Sequence, residues 1–434
     1  MADSKLPLAP KSLEETGLSR GFLQDLALKT IYFVGEMVGR DVARNLHLPF
    51  TDVVEVLLRH LRDEKYLEVR GGDSASASNW KYCITDKGRL KVAEVFTRDT
   101  YCGPAPVPLA EYQKSVLANK VMYGDINRER TKEAFADLII DPDMIDKLGP
   151  AINSGKSMFL YGYPGNGKTA IAERICRLMG GNIVVPYAVE VDNQVIKFFD
   201  PFYHFPVEPP EEPKPVSAVA SILKDKKDLY DNRWVEVKRP MIMVGGELTM
   251  ATLDLIFSQD TKFYEAPFQM KSNGGILLID DFGRQQMRPQ DLLNRWIVPL
   301  EKRVDFLTLH TGKKIEVPFE QLIIFSTNID PADLVDDAFL RRIRYKVEIT
   351  DPSVDRFKRI FQLVCKSRQI EYRENMIDYM IEKHYQPKGK PLRGCHARDL
   401  LDQIGDQARY LGVPPELNES LIDGACGSYF VELR

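Results

Sequence analysis

Residues 162–169 read Gly162-Tyr163-Pro164-Gly165-Asn166-Gly167-Lys168-Thr169, a complete G-x-x-x-x-G-K-[ST] pattern. Residue types in this order suit the binding of a polyphosphate. Three glycines let the backbone curl so that its N–H groups point at phosphate oxygens, and a helix starting near Lys168 adds the positive end of its dipole. Lys168 is expected to bridge the β- and γ-phosphates of ATP, and the Thr169 hydroxyl is expected on Mg²⁺. The expected nucleotide-binding set runs from Gly162 through Ala170.

Two more stretches end in polar groups suited to the same chemistry. Ile276-Leu277-Leu278-Ile279 is an apolar run closed by Asp280 and Asp281. A buried strand of this kind delivers a carboxylate to the edge where Mg²⁺ sits, which makes Asp280 the candidate metal holder, acting through bound water. Leu322–Phe325 is followed by Ser326-Thr327-Asn328. The Asn328 amide could orient an attacking water or touch the γ-phosphate.

The elements that must position these groups follow from the pattern. Strands are predicted at 158–161, 183–189, 276–279 and 322–326 with helices between them, which implies an α/β fold built on a parallel sheet with helices on both faces. This core is assigned to 121–350. About 191–241 breaks the rhythm with aromatic clusters, the Pro-rich stretch Pro206–Pro215 and a charged helical stretch at 217–229, and is read as an insertion. Residues 351–434 turn helical and are read as a small lid.

The N-terminal part has a different pattern. Residues 1–19 are polar and read as a flexible tail. Within 20–100, helices are predicted from Gly21 (with Phe22, Leu23, Leu26, Phe33 and Val34 on one side), over Gly39–Leu46, and over Thr51–Leu61 with Thr51 as N-cap. Two strand-like stretches, Tyr66–Arg70 and Trp80–Thr85, flank a Gly/Ser-rich loop. Three helices and a two-stranded wing resemble a winged-helix domain. Residues 101–120, with prolines at 104, 106 and 108, read as a stiff linker.

Composition limits the partners. The formal net charge of −4 gives no global attraction for nucleic acid or acidic membranes. The six cysteines never form C-x-x-C, which argues against a zinc site or a disulfide framework. The chain starts without a signal-peptide layout and holds no apolar run long enough to span a bilayer, so a cytoplasmic location is expected.

From about Val121 to the C-terminus the chain resembles the AAA+ ATPases. In that family a phosphate loop, a metal-holding strand, a sensor-1 Asn, an arginine finger and a sensor-2 Arg occur in this order. The resemblance assigns these roles to Gly162–Thr169, Asp280-Asp281, Asn328, Arg341-Arg342 and Arg398. Phe339-Leu340-Arg341-Arg342-Ile343 looks like the finger motif, with Arg342 favoured over Arg341. His396-Ala397-Arg398-Asp399-Leu400 looks like the sensor-2 helix of the lid. The family usually carries Glu where this chain has Asp281, the expected water-orienting carboxylate, so slow hydrolysis is expected and lengthening Asp281 to Glu is expected to raise turnover.

Val304–Leu309 and Ile315–Phe319 read as a hairpin with the basic turn His310-Thr311-Gly312-Lys313-Lys314, similar to the pre-sensor-1 hairpin branch. Such a tip could reach a central pore or form an ordinary solvated turn. Met243-Val244-Gly245-Gly246, ahead of a predicted helix at 249–257, resembles the pore loop of threading ATPases. The resemblance implies a homo-oligomeric ring, hexameric in type, that uses ATP and Mg²⁺.

The winged-helix region is poorly equipped for DNA. Its third helix would expose Asp52, Glu55, Arg59 and Arg62, with the acids at the end that normally meets bases, and the wing 71–79 has no Lys or Arg. A protein client therefore outranks nucleic acid. The main expectation is an ATPase that remodels a protein. The alternatives are a nucleic-acid motor or loader and an ATP-dependent assembly switch with little turnover.

Overall fold

The computed structural model describes residues 6–71, 76–120, 126–207 and 229–430. Residues 217–228 of the predicted charged helix, 208–215 of the Pro-rich stretch and 72–75 of the wing lie outside the described residues. The N-terminal unit comprises α1 (Arg20–Val34), β1 (Glu36–Val38), α2 (Gly39–Leu46), α3 (Glu55–Asp63), β2 (Leu67–Val69), β3 (Lys81–Ile84) and α4 (Asp86–Phe96). Its strands form an antiparallel sheet in the order β1-β3-β2.

Two expectations fail in this unit. Leu23 and Leu26 are buried, but Phe33 is 62% exposed and packs its ring on Tyr32 and Phe96, because the last turn of α1 runs past the core. Thr51 is not an N-cap: the residue after it, Asp52, is left-handed at φ 62° instead of helical, and the Val54 N–H bonds Pro49 O. The Pro49 connection delays the regular helix to Glu55.

The described part of the tail, 6–19, and the linker are packed. Leu13, Thr16 and Leu18 are buried, Ala9 N donates to Leu229 O, and Asp231 N donates to Pro7 O. The linker forms β4 (Val107–Pro108) and α5 (Leu109–Ala118), whose Tyr112 and Val116 face a core because their four-residue spacing puts both on one side.

Arg233 fastens these pieces together. It is 2% exposed, donates to both Asp231 carboxylate oxygens, and reaches Thr16 O and Pro106 O at 2.8 and 3.3 Å. Asp231→Ala would leave that cation buried without its principal partner. A loss of about 3–5 kcal/mol is expected, read as a lower denaturant midpoint.

The core starts with α6 (Arg128–Ala134), α7 (Pro142–Asn153), β5 (Met158–Tyr161) and α8 (Lys168–Met179). Next come β6 (Asn182–Pro186), β7 (Ala188–Val191), β8 (Gln194–Lys197), β9 (Trp234–Lys238) and β10 (Met241–Val244). Then follow β11 (Ile256–Phe257), β12 (Tyr264–Glu265), α9 (Phe268–Lys271), β13 (Ile276–Ile279), α10 (Pro289–Arg295), α11 (Ile297–Lys302), β14 (Val304–Thr308) and β15 (Lys314–Pro318). β16 (Leu322–Thr327), α12 (Pro331–Leu334), α13 (Asp337–Arg342) and β17 (Tyr345–Glu348) complete it.

Five of these strands make a wholly parallel sheet in the order β10-β13-β16-β5-β17. Alternate residues face opposite layers. Met158, Leu160, Leu278 and Ile324 pack on one side with Ile171, Ile175 and Leu148 of α8 and α7. Phe159, Leu277, Ile279, Ile323 and Phe325 pack on the other with Leu292, Trp296 and Phe339. Burial on both faces explains why these strands read as unbroken apolar runs.

The predicted strand 183–189 does not join this sheet. It divides at Tyr187 into β6, antiparallel to β9, and β7, antiparallel to β8. The next core strand after the phosphate loop is β10, so the insertion occupies about 182–238 rather than 191–241. An apolar run has the same pattern in a core strand and an accessory one. β4, β7, β8, β11 and β12 build a second five-stranded sheet, and the hairpin β14–β15 shares its core through Leu307, Leu309, Ile315 and Val317.

The lid contains α14 (Val354–Arg368), α15 (Glu374–Met380), α16 (Gly394–Leu411) and α17 (Glu419–Tyr429) around their own core. No helix among the described residues is long and apolar enough to cross a membrane.

Candidate functional site

The C-terminal ends of the parallel strands are laced together. Asp280 N donates to Val244 O, Phe282 N to Ser326 O, Gly162 N to Thr327 O, and Ile349 N to Tyr161 O. The loops that leave β13, β16 and β5 therefore start from one rigid edge, where open parallel sheets place ligands.

Two glycines of the loop are sterically required. Gly162, at φ 137°, lies so close to β17's exit that a Cβ would sit 2.2 Å from Ile349 O. At Gly165, φ 85°, a Cβ would meet the Cys395 thiol at 2.4 Å. α8 then begins at Lys168, with its first amides at the loop.

Lys168 is 7% exposed. Its Nζ donates to Asn328 Oδ1 at 2.6 Å, Gly162 O at 2.7 Å and Tyr163 O at 3.1 Å. Asn328 Nδ2 in turn donates to Asp281 Oδ1 at 3.1 Å. One chain of bonds thus links the loop lysine, the amide at the end of β16 and the second acid after β13. Burial lowers the Lys168 pKa from its ordinary value and nearby Arg393 adds to this, while Asp280 and Asp281 oppose it.

Asp280 is oriented by several donors. Ser326 Oγ and Asp281 N reach its Oδ1 at 2.7 and 3.0 Å, and Thr169 Oγ1 reaches Oδ2 at 3.4 Å. A hydroxyl beside a carboxylate is a hard-oxygen pair that fits Mg²⁺. Asp281 sits at φ 47°, a conformation that Asp tolerates better than most side chains. Tyr163, Pro164 and Gly165 are exposed on the loop, and Ala170 is half-buried in the first turn of α8.

The remaining expected residues lie elsewhere. Arg342 Nε donates to Glu301 on α11 at 2.7 Å, and its guanidinium stands 5.6 Å over the Phe339 ring. Arg341 is exposed, and so is Arg344, which directly precedes β17 and was not singled out from sequence. Arg398 is mostly exposed and pairs with Asp399 at 3.1 Å.

The lid cation beside the phosphate loop is Arg393. Its guanidinium carbon is 5.5 Å from the Tyr163 ring centroid, and its Nε is buried with no hydrogen-bond partner among the described residues. Its sequence signal was the adjoining Gly394, where a Cβ would be 3.3 Å from Gly165 O.

The hairpin is present, and its turn residues His310 to Lys314 are all exposed, as in an ordinary solvated turn. The His310 ring stacks on Phe257 at 4.3 Å and bonds the Tyr264 hydroxyl, while Lys313 pairs with Asp192 at 2.5 Å. The pore-loop expectation fails in part. Val244 is a core residue, and no helix covers 249–257; a single turn at Ala251–Leu253 leads into β11. Thr249 and Thr252 exchange side-chain bonds with each other's backbone, which competes with helix formation.

A family model described as a domain of unknown function (DUF8689) matches residues 353–428, the lid. No curated protein matches. Among solved structures the chain is similar to a mutant of RuvB from Thermotoga maritima, with 13% identity over 71% of this chain and 72% of that one, at TM-score 0.36. It is also similar to NtrX from Brucella abortus, with 13% identity over 69% of this chain and 58% of that one, at TM-score 0.39. These superpositions are loose, and the functional reading rests on the site itself.

Proposed function

We propose that the chain is a Mg²⁺-dependent AAA+ ATPase, working as a homo-oligomeric ring of the hairpin-bearing branch and remodelling a protein client. The observation that carries the ATPase reading is the bonded series Lys168–Asn328–Asp281 beside Thr169 and Asp280 at one edge of a parallel sheet. Thr169 and Asp280 would hold Mg²⁺, which supplies charge neutralisation at the phosphates. Lys168 and the loop amides hold ATP, Asn328 keeps the Asp281 carboxylate aimed inward, and Asp281 orients the attacking water. Calorimetry with Mg-ATP and a phosphate-release assay test this reading directly.

A protein client is favoured over nucleic acid by the third helix of the N-terminal domain, read as a winged helix. Arg59 pairs with Glu55 and Arg62 with Asp63, both at 3.2 Å, so the basic groups of that face already have partners. At the exposed hairpin tip, Lys313 likewise has a partner in Asp192. Salt-independent failure to bind duplex DNA is expected, because phosphate contacts would show a steep salt dependence.

Asp281→Asn keeps an acceptor for Asn328 but removes the charge, so kcat is expected to fall about a hundredfold with ATP affinity nearly unchanged. Asp281→Glu is expected not to raise turnover, against the reading from sequence. The carboxylate already meets Asn328, and the left-handed backbone suits Asp better than Glu. A faster Glu variant would show that one methylene limits the parent.

A further inference from the structure

The phosphate loop is bonded to the lid through a side chain that nucleotide binding alone does not explain. Asn166 Nδ2 donates to Asp351 Oδ1 at 2.6 Å, while its Oδ1 accepts the Gly394 N–H at 3.1 Å. Beside it, Cys395 N donates to Gly165 O at 2.7 Å. Asp351 lies between β17 and α14, where the core ends and the lid begins, and its carbonyl accepts from Arg356 Nη2 at 2.8 Å. Arg356 also pairs with Asp141, which precedes α7. One amide therefore grips the hinge and the first turn of the longest lid helix together.

We propose that Asn166 is a positioning residue that makes lid orientation follow the conformation of the phosphate loop, an inference that rests on reading this loop as the ATP site. Lys168 Nζ holds the carbonyls of Gly162 and Tyr163, early in the same loop. When the ammonium turns to phosphate oxygens, those carbonyls are released and the loop resettles. Asn166, three residues on, carries that change to Asp351 and Gly394. The task needs a donor toward one partner and an acceptor toward the other. A short amide provides both, whereas a carboxylate offers only acceptors and would repel Asp351.

The test uses the full chain with a non-hydrolysable ATP analogue. Hydrogen exchange at the amides of Gly394 and Cys395 reports lid docking, calorimetry reports affinity, and phosphate release reports kcat. Asn166→Asp is expected to abolish the ATP-dependent change in protection and lower kcat about tenfold. Asn166→Ala, which adds no charge, is expected to lose the same lid response. Asp351→Asn retains an acceptor and is expected to be mild.

The decisive variant combines Asn166→Asp with Asp351→Asn. Amide and carboxylate have then exchanged places, the net charge is that of the parent, and the lid response and kcat are expected to return to within about twofold. A double variant that binds ATP yet stays as impaired as Asn166→Asp would overturn the proposal, as would a normal lid response in Asn166→Ala. A parent chain that binds no ATP would refute the reading of the loop, and this proposal with it.

Discussion

Lys168→Ala is expected to remove measurable ATP binding. The ammonium is the only positive charge in the bonded series, and it lies beside Asp280 and Asp281. Its loss has two consequences. Charge-assisted bonds to the phosphates disappear, and two carboxylates are left facing a polyanion with less compensation. Charge-assisted bonds are about twice as strong as neutral ones, and each 1.4 kcal/mol is tenfold in Kd, so weakening by a factor on the order of a hundred or more is expected. The comparison is calorimetric, with thermal melting of both proteins as the control for folding. Undiminished affinity in a folded variant would mean that the loop does not cradle phosphate.

The phosphate loop, Asp280, Asp281 and Asn328 were legible because each is a polar group closing an unbroken apolar run, and such runs are what a sheet buried on both faces demands. The hairpin was legible because Gly312 sits between two alternating segments. What was not legible came from tertiary pairing. Residues 183–189 have the composition of a core strand, and only their partners, β9 and β8, place them outside the parallel sheet. The tail looked free because its leucines, Leu6, Leu8, Leu13 and Leu18, have no periodicity, while the cation that fastens it, Arg233, lies more than 200 residues away in sequence. In the lid, Arg398 matches the sensor-2 pattern of the family that the chain resembles. Arg393 is the arginine at the loop because the helix N-terminus, not its second turn, approaches Gly165.

Arg342→Ala is expected to bind ATP almost normally and to hydrolyse it about a thousandfold more slowly, the scale on which an arginine supplied to a transferring phosphoryl group acts. Within its own chain this residue contributes no bond to the Lys168–Asn328–Asp281 series; its Nε is held by Glu301 and its plane by Phe339. That anchorage suits a group presented to a neighbouring subunit, since it fixes the side chain without burying it. The competing account is a partly exposed ion pair, worth at most about 1 kcal/mol and of no consequence for turnover. The two accounts separate cleanly when Arg342→Ala is mixed with Lys168→Ala. In a shared site, some interfaces of a mixed ring combine an intact phosphate loop with an intact arginine, so part of the activity returns. Co-assembly without recovery would assign Arg342 to the ion pair alone. Glu301→Ala adds an internal check: if Glu301 aims the arginine, its loss should slow hydrolysis while leaving ATP affinity unchanged, whereas Arg341→Ala, at an exposed neighbour without that anchor, should have the smaller effect.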